Sequence, residues 1–279
     1  KLVLTASAIT SLAISHLSSA AYPEKSIRLV VPFATGGTSE IVARSVANSL
    51  STSLGQSVYV DNKPGGAGNI AMEEVKRANP DGYTLILGHV GTLAVNPALF
   101  GSKLPYDPNK DFAPVTLVAK VPNVIAVSSK SSFKTLADLV ADAKKNPGKI
   151  NYGSAGNGSA GHLAMEYFSA VAGIDLVHVP YKGSGPMLTD LIGGQIQATF
   201  NGLPSLMGQI SGGALRPLAV GSAERSKVLP KVPTIAESGY KGFETSQWYG
   251  IMAPAGTPKP IIDRLQKEIA KSLKNKEDS

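Results

Sequence analysis

The hydrophobic positions of this chain change their period again and again. Ile27, Leu29, Val30 and Val31 form a short apolar run that stops at Pro32. After a loop bearing Gly36 and Gly37, apolar residues return at helical spacing as Val42, Val46, Leu50 and Leu54. That is a strand, a tight loop and a helix. Residues 58–60 predict a second strand, which runs into a Gly-rich loop, and Asn69 is the expected cap of a helix over 70–78 that stops at Asn79-Pro80-Asp81-Gly82. Residues 83–87 predict a third strand, with His89-Val90-Gly91-Thr92 as a polar loop beyond it. Three strand-to-helix loops thus fall within the first hundred residues. In an open α/β sheet such loops gather at one edge, where ligands bind.

The second half repeats this logic. Strands are expected over 115–118 and 124–127, on either side of Pro122, as a first crossing between lobes. Thr135-Leu136-Ala137-Asp138 reads as a capping box for a helix with Leu136, Leu139, Val140 and Ala143 on one face, ended by Asn146-Pro147-Gly148. A strand over 150–152 enters a Gly-rich loop, and a helix continues through Leu163, Tyr167 and Val171 to a stop at Gly173. A strand over 176–179, a loop over 181–185 and a short helix ended by Gly193-Gly194 follow, then a strand over 195–200 with Asn201-Gly202 at its end. Strands are also expected over 215–221 and 248–253, with an irregular, Pro-punctuated stretch over 222–239 between them. The last helix spans 258–273, with Ile261, Ile262, Leu265, Ile269 and Leu273 on its buried face, before a polar, frayed end. Alternation of strands and helices throughout means an α/β fold. No solenoid repeat or low-complexity tract interrupts it.

Length and composition allow a sizeable core: 279 residues at 43% hydrophobic content make one large domain or two lobes, and two lobes are expected. Residues 1–21 differ from the rest. They begin with a basic residue, continue through an apolar body broken by Ser and Thr, and end in Ser18-Ser19-Ala20-Ala21, the pattern of an export signal cleaved near Tyr22. The net charge is +7, but its basic residues are scattered and not interleaved with aromatics, which argues against nucleic-acid binding. The absence of cysteine excludes thiol catalysis, Cys-zinc sites and disulfides.

The chemistry-bearing motifs point to a small anion. The loop Thr35-Gly36-Gly37-Thr38-Ser39 ends at a helix N-terminus, whose unpaired N–H groups attract negative charge. Gly156-Asn157-Gly158-Ser159-Ala160-Gly161 matches the G-x-G-x-x-G dinucleotide pattern between a strand and a helix, but the acidic residue that should end the next strand is missing, since Tyr181-Lys182 stand there. A smaller anion at the same kind of helix end is the better reading. His16 lies in the leader and His178 in a strand interior, packed in its sheet. His89 and His162 lie near strand-to-helix loops and are the better contact candidates. No metal-ligand spacing, nucleophile elbow or local triad is present. Trp248 either packs between lobes or contacts the ligand directly, with packing the expected role, and Asn201 either offers its amide to a ligand or caps a turn.

Several fragments, in this order and spacing, carry a family likeness. They are Tyr22-Pro23, Val31-Pro32-Phe33 with Gly36-Gly37, Asn62-Lys63-Pro64-Gly65-Gly66, Asn79-Pro80-Asp81-Gly82-Tyr83, Tyr152-Gly153-Ser154-Ala155-Gly156-Asn157-Gly158, Val179-Pro180-Tyr181-Lys182-Gly183 and Val232-Pro233-Thr234. The chain resembles the Bug-type substrate-binding proteins of tripartite tricarboxylate transporters. That resemblance implies a two-lobed periplasmic binding protein of the Venus-flytrap kind, with lobe 1 over 22–122 and 249–279 and lobe 2 over 123–248. It implies hinge closure on a small carboxylate (a di- or tricarboxylate, or an aromatic or amino-acid carboxylate) and its delivery to integral-membrane transporter subunits. It further implies a periplasmic monomer with no cofactor, metal, nucleic-acid partner or catalytic step; the competing reading is an exported enzyme that uses the same cleft. By the same likeness, lobe 1 contacts come from Phe33, Thr35, Gly36, Gly37, Thr38, Ser39, Gly66, Ala67, Gly68, His89, Gly91 and Thr92. Lobe 2 contacts come from Ser154, Ala155, Gly156, Ser159, Tyr181, Lys182, Gly183 and Asn201. Three departures stand out: Ser39-Glu40 where the family usually carries Asp, neutral Asn201 where many relatives have Asp, and an end at Ser279 short of the family's usual C-terminal segment.

Overall fold

The apolar run over residues 27–31 is a strand, β1 (Ile27–Val31), because both of its faces are covered. Ile27, Leu29 and Val31 pack with Val46 and Leu50 of α1 (Thr38–Leu54), while Val30 packs on the opposite face with Ala71, Met72 and Val75 of α2 (Asn69–Lys76). A strand buried on both sides reads as continuous apolar sequence. The computed structural model describes residues 22–277, so the expected export signal and the last two residues lie outside the described residues. β1 pairs in parallel with β2 (Val58–Asn62) and β3 (Thr84–His89).

A single strand joins the two halves. Where two strands were expected around Pro122, β4 (Phe112–Ser128) runs unbroken for 17 residues. Proline has no N–H to give to a ladder, and Pro122 stands where the ladder changes partner. It is the last residue of β4 paired with the returning strand β9 (Ser246–Pro254), and Asn123 is the first paired with β7 (Ala198–Gly202). The second half sets β5 (Asn151–Ser154) in parallel between β6 (Val177–Pro180) and β7, while β8 (Leu215–Val220) pairs with β4. The strand order is therefore β2-β1-β3-β9-β4-β7-β5-β6, with β8 off the path on β4.

The helices of the second half close two cores on the two faces of its sheet. On one face α4 (Leu136–Lys145) and α5 (Ala160–Ala172) enclose Tyr152, Phe168 and Phe200, all fully buried. Each such side chain contributes about 1.5–3 kcal/mol. On the other face α6 (Ser184–Gly193) and α7 (Leu203–Ser211) pack Met187, Leu191 and Leu206 against Val124 and Ala126. The last helix, α8 (Lys259–Glu277), returns to the first half, where Leu265 and Ile269 join the α1 core.

Four local expectations change. Asn69 does not cap α2: Gly68 holds that position, and the Asn69 carboxamide oxygen accepts instead from Asn96 and Tyr106. The stretch after β3 is not an open loop but a helical turn (Gly91–Val95) that leads into α3 (Asn96–Phe100). α7 was not foreseen, since Pro204 and Gly208 mask a short helix whose first turn tolerates proline. α8 continues four residues past Leu273 to Glu277. Elsewhere the local signals agree with the structure: Thr135 Oγ1 accepts from Asp138 N while the Asp138 carboxylate accepts from Thr135 N, and Gly173 ends α5 at φ 63°. No helix among the described residues is long and apolar enough to cross a membrane.

Candidate functional site

The loop after β1 delivers the chain to the N-terminus of α1, with Gly37 as its cap residue. The first amides of a helix have no intrahelical acceptor, which leaves Thr38 N and Ser39 N turned toward whatever lies beyond the helix end. Gly36 N is different, because it donates to Glu40 Oε2 at 2.5 Å. Burial works against ionisation of Glu40, yet the Gly36 N–H and Arg44 hold its carboxyl below the usual range. Glu40 therefore shapes the loop from within and uses up one amide that sequence reasoning had counted as free.

Two further segments of the first half are braced against this loop. Asn96 Nδ2 donates to Ala67 O at 3.0 Å and to Asn69 Oδ1 at 2.7 Å, and Tyr106 OH donates to Thr92 O at 2.6 Å. Together they tie the Gly66–Gly68 turn to the turn after β3. His89, at the end of β3, is 1% exposed and rests edge-on against Phe33, with ring centroids 4.7 Å apart. Its Nδ1 receives the Thr92 N–H at 3.2 Å. With no charged neighbour to offset desolvation, burial pushes its pKa down to about 3, so the ring is neutral at physiological pH.

The opposing jaw is built on β5. Ser154 is fully buried, and its hydroxyl bonds the Gly156 backbone and His178 Nε2, the latter at 2.7 Å. The His178 ring stacks on Tyr152 on one side and on His162 on the other, at 4.9 and 4.1 Å between centroids. His162 Nδ1 accepts from Gly158 N at 3.3 Å. His162 thus supports the loop from behind, and half-buried His178, packed in its sheet against Tyr152, braces the loop from the edge strand. Burial lowers the pKa of both rings, that of His178 to about 4. Ser159 caps α5 by accepting from His162 N, and Asn201 donates to Ser184 Oγ at 3.0 Å, at the first residue of α6.

Between the jaws lies a cavity in two parts that share three lining residues. The inner part, about 20 Å³, is lined by Phe33, Ala34, Gly37, Thr38, Ser39, His89, Ala155, Ser159, Ala160, Gly161, Ser184, Asn201, Gln247 and Tyr249. None of these carries a charge. The outer part, about 520 Å³, shares Phe33, Ala34 and Ala155 with it and adds residues 64–68, Gly156, Asn157 and Pro180-Tyr181-Lys182-Gly183. Lys182 is its single charged lining residue. The N-termini of α1, α5 and α6 all open on the inner part, so their partial positive charge converges where side-chain charge is absent.

Of the residues expected at the site, Phe33, Gly37, Thr38, Ser39, His89, Ala155, Ser159 and Asn201 line the inner part, and Gly66, Ala67, Gly68, Gly156, Tyr181, Lys182 and Gly183 line the outer part. Five do not line it. Gly36 is bonded to Glu40, Thr92 to His89, and Ser154 to its own loop and His178. Thr35 meets the other jaw through its carbonyl, 2.9 Å from where a Cβ on Gly183 would lie, and a Cβ on Gly91 would lie 2.8 Å from both His89 Nε2 and Gly158 O. Gln247 and Tyr249 were missed. They are 2% and 1% exposed, Tyr249 OH donates to Gln247 Oε1, and Gln247 Nε2 donates to Asn123 Oδ1 at the point where β4 changes partner. Period-two alternation sends Trp248 to the opposite side, where it lines a surface groove with Lys120 and Glu244 and does not line the cavity.

The family model described as the tripartite tricarboxylate transporter family receptor matches residues 42–277. The chain belongs to this receptor family. Protein BugT of Bordetella pertussis is 39% identical over 261 residues, which cover 93% of this chain and 80% of BugT. Two solved structures superpose closely on this receptor chain. A Rhodopseudomonas palustris protein determined with adipate is 42% identical with a TM-score of 0.85, covering 89% of this chain and 83% of its own. MatC from Rhodopseudomonas palustris with bound malate is 33% identical at the same TM-score, covering 90% and 85%. The fold is thus the two-lobed fold of periplasmic binding proteins, and its relatives are binding proteins.

Proposed function

We propose that this receptor captures a small carboxylate between its lobes outside the cytoplasm and delivers it to the membrane subunits of a tripartite tricarboxylate transporter, without chemistry of its own. One observation carries the reading: three helix N-termini converge on a cavity whose inner lining holds donors but no charged side chain. Amides and hydroxyls at helix ends hold a carboxylate without a cation. Thr38, Ser39, Ser159, Ser184 and Asn201 surround its inner end, while Tyr181 and Lys182 meet whatever projects into the outer part. Relatives whose structures were solved with adipate and with bound malate support this class of ligand. Among the described residues, the Ser–His side-chain contact, Ser154 with His178, does not reach the cavity, which weighs against an exported enzyme.

The lobes divide where pairing changes. We infer that lobe 1 comprises residues 22–122 and the chain from β9 onward and that lobe 2 comprises the segment between, a division supported by the pairing of Ser246 to Trp248 with Pro122 to Lys120. Residues 1–21 act as the export signal, and the mature receptor works as a monomer. The test is a thermal-shift panel of purified protein with adipate, malate and other small carboxylates, followed by recovery of the ligand. A stabilising ligand at a hundredfold excess over Kd adds about 2.7 kcal/mol. A panel without any shift refutes carboxylate capture, and a ligand recovered as a different compound establishes an enzyme.

A further inference from the structure

Among the described side chains that line the inner cavity, one buried polar atom has its hydrogen bond unspent. His89 Nε2 is buried and has no partner among the described residues. Two carboxamide oxygens line the same cavity without bonding Nε2, and each already receives another donor: Asn201 Oδ1 receives Gly202 N, and Gln247 Oε1 receives Tyr249 OH. The tautomer follows from the partner on the other nitrogen. A backbone N–H can only donate, and Thr92 N donates to Nδ1, so Nδ1 is the acceptor and the hydrogen of the neutral ring sits on Nε2. Burial keeps the ring in that neutral form. The ring also cannot turn freely, because Phe33 lies edge-on at 4.7 Å and Thr92 bonds both His89 N and Nδ1. Nε2 therefore points away from its own strand and toward the other jaw, where Gly158 O lies beyond Gly91.

We propose that His89 is a specificity-determining residue, a fixed neutral Nε2–H donor that selects ligands presenting an acceptor oxygen at the inner end of the cleft. This rests on the carboxylate reading above and deepens it. An unpaired buried donor costs stability that a protein ordinarily avoids, and it becomes satisfied when a carboxylate oxygen, or one water bonded to it, occupies the inner cavity. At about 20 Å³ that space admits one such water. An ammonium or an alkyl group placed there leaves Nε2–H unpaired, which is a stronger source of rejection than lost contact area.

The experiment has two arms. In the first, long-range ¹H–¹⁵N NMR of the free protein at pH 7 is expected to show His89 as the neutral Nε2–H tautomer; an Nδ1–H tautomer or a protonated ring overturns the inference without any ligand. In the second, affinities for adipate and malate are measured for the parent, His89→Phe and His89→Gln. His89→Phe is expected to weaken binding at least about tenfold, the lower end of what a hydrogen bond to a charged group supplies. His89→Gln, which keeps an amide donor near the Nε2 position, is expected to restore part of that loss and serves if the Phe variant does not fold. Equal affinity of the parent and a folded His89→Phe overturns the inference and leaves the carboxylate reading standing. Failure of the parent to bind any carboxylate overturns both. A crystal of the complex with Nε2 bonded to Gly158 O rather than to ligand or bridging water also overturns it.

Discussion

Glu40 shows how one side chain can trade anion affinity for loop order. Its carboxylate lies in the first turn of α1, accepts from Gly36 N and pairs with Arg44, so it stabilises the turn while placing negative charge beside a site for anions. Glu40→Gln keeps the shape and an acceptor for Gly36 N but removes the charge. At pH 7 it should cost about 1 kcal/mol in urea denaturation, the scale of weakening one charged hydrogen bond, since the exposed Arg44 end adds little. The native pKa of Glu40 is depressed, so this contribution is present above about 4.5 and fades as pH falls through the lower native value. The cost of Glu40→Gln should accordingly shrink toward pH 3. Carboxylate affinity should rise several-fold in the same variant, because a like charge near the ligand is gone. An unchanged affinity by calorimetry would mean that Glu40 is screened from the cleft.

At the scale of elements, close approach of the two jaws depends on the backbone of their loops. Gly158 has φ 72°, and a Cβ there would lie 2.5 Å from Ala67 Cβ across the cleft. Gly158→Ala should therefore hold the jaws apart and lower ligand affinity more than tenfold, beyond the roughly 1–2 kcal/mol that a left-handed Ala costs in stability. Gly173→Ala supplies the control, since Gly173 has φ 63° with nothing within 4 Å. It should lose similar stability and keep its affinity. If both variants bind like the parent, the Gly158–Ala67 contact does not limit closure. A third substitution, Thr135→Ala, removes the capping box of α4, far from the cleft, and should cost about 1 kcal/mol with no effect on binding.

The same elements show what sequence could tell. The capping box at Thr135, the stop at Gly173 and the doubly buried strand β1 were legible because each depends on residues adjacent in the chain. β4 was read as two strands because Pro122 is a breaker locally and becomes harmless only where β9 hands over to β7, partners more than seventy residues away. α7 hid behind its proline and an internal glycine. At the site, the Gly-bearing loops after strands announced themselves, but Gln247 and Tyr249 arrive on a late strand that carries no loop signal. The clue present was alternation about Trp248: the conspicuous aromatic faces out, and its two neighbours face in. Glu40 could be recognised in sequence as a departure, but its hydrogen bond to Gly36 could not, since an acid in the first turn of a helix is ordinary.

For the whole molecule, the three described histidines add to how stability responds to acid. All three are held below the ordinary value near 6.5 by burial, His89 to about 3 and His178 to about 4, with His162 also lowered. Between the native and unfolded values the unfolded chain binds more protons than the native one, so stability rises with pH in that window and falls as the solution is acidified. The contribution is fully present above about 6.5 and is lost as pH drops toward the native values. For His89, the most deeply buried, moving from pH 7 to pH 5 should remove about 2 kcal/mol, as the slope approaches about 1.4 kcal/mol per pH unit once the unfolded chain alone is protonated. His162 and His178 are only partly buried and add smaller losses of the same sign. Urea denaturation at pH 7, 6 and 5 on the parent and on His89→Gln isolates the term, because Gln does not titrate. The variant's curve should be flatter by about 2 kcal/mol across that range. Coincident curves would show that the His89 ring takes up its proton in the native state as readily as in the unfolded chain, and a charged imidazolium would then face the ligand in place of the neutral donor.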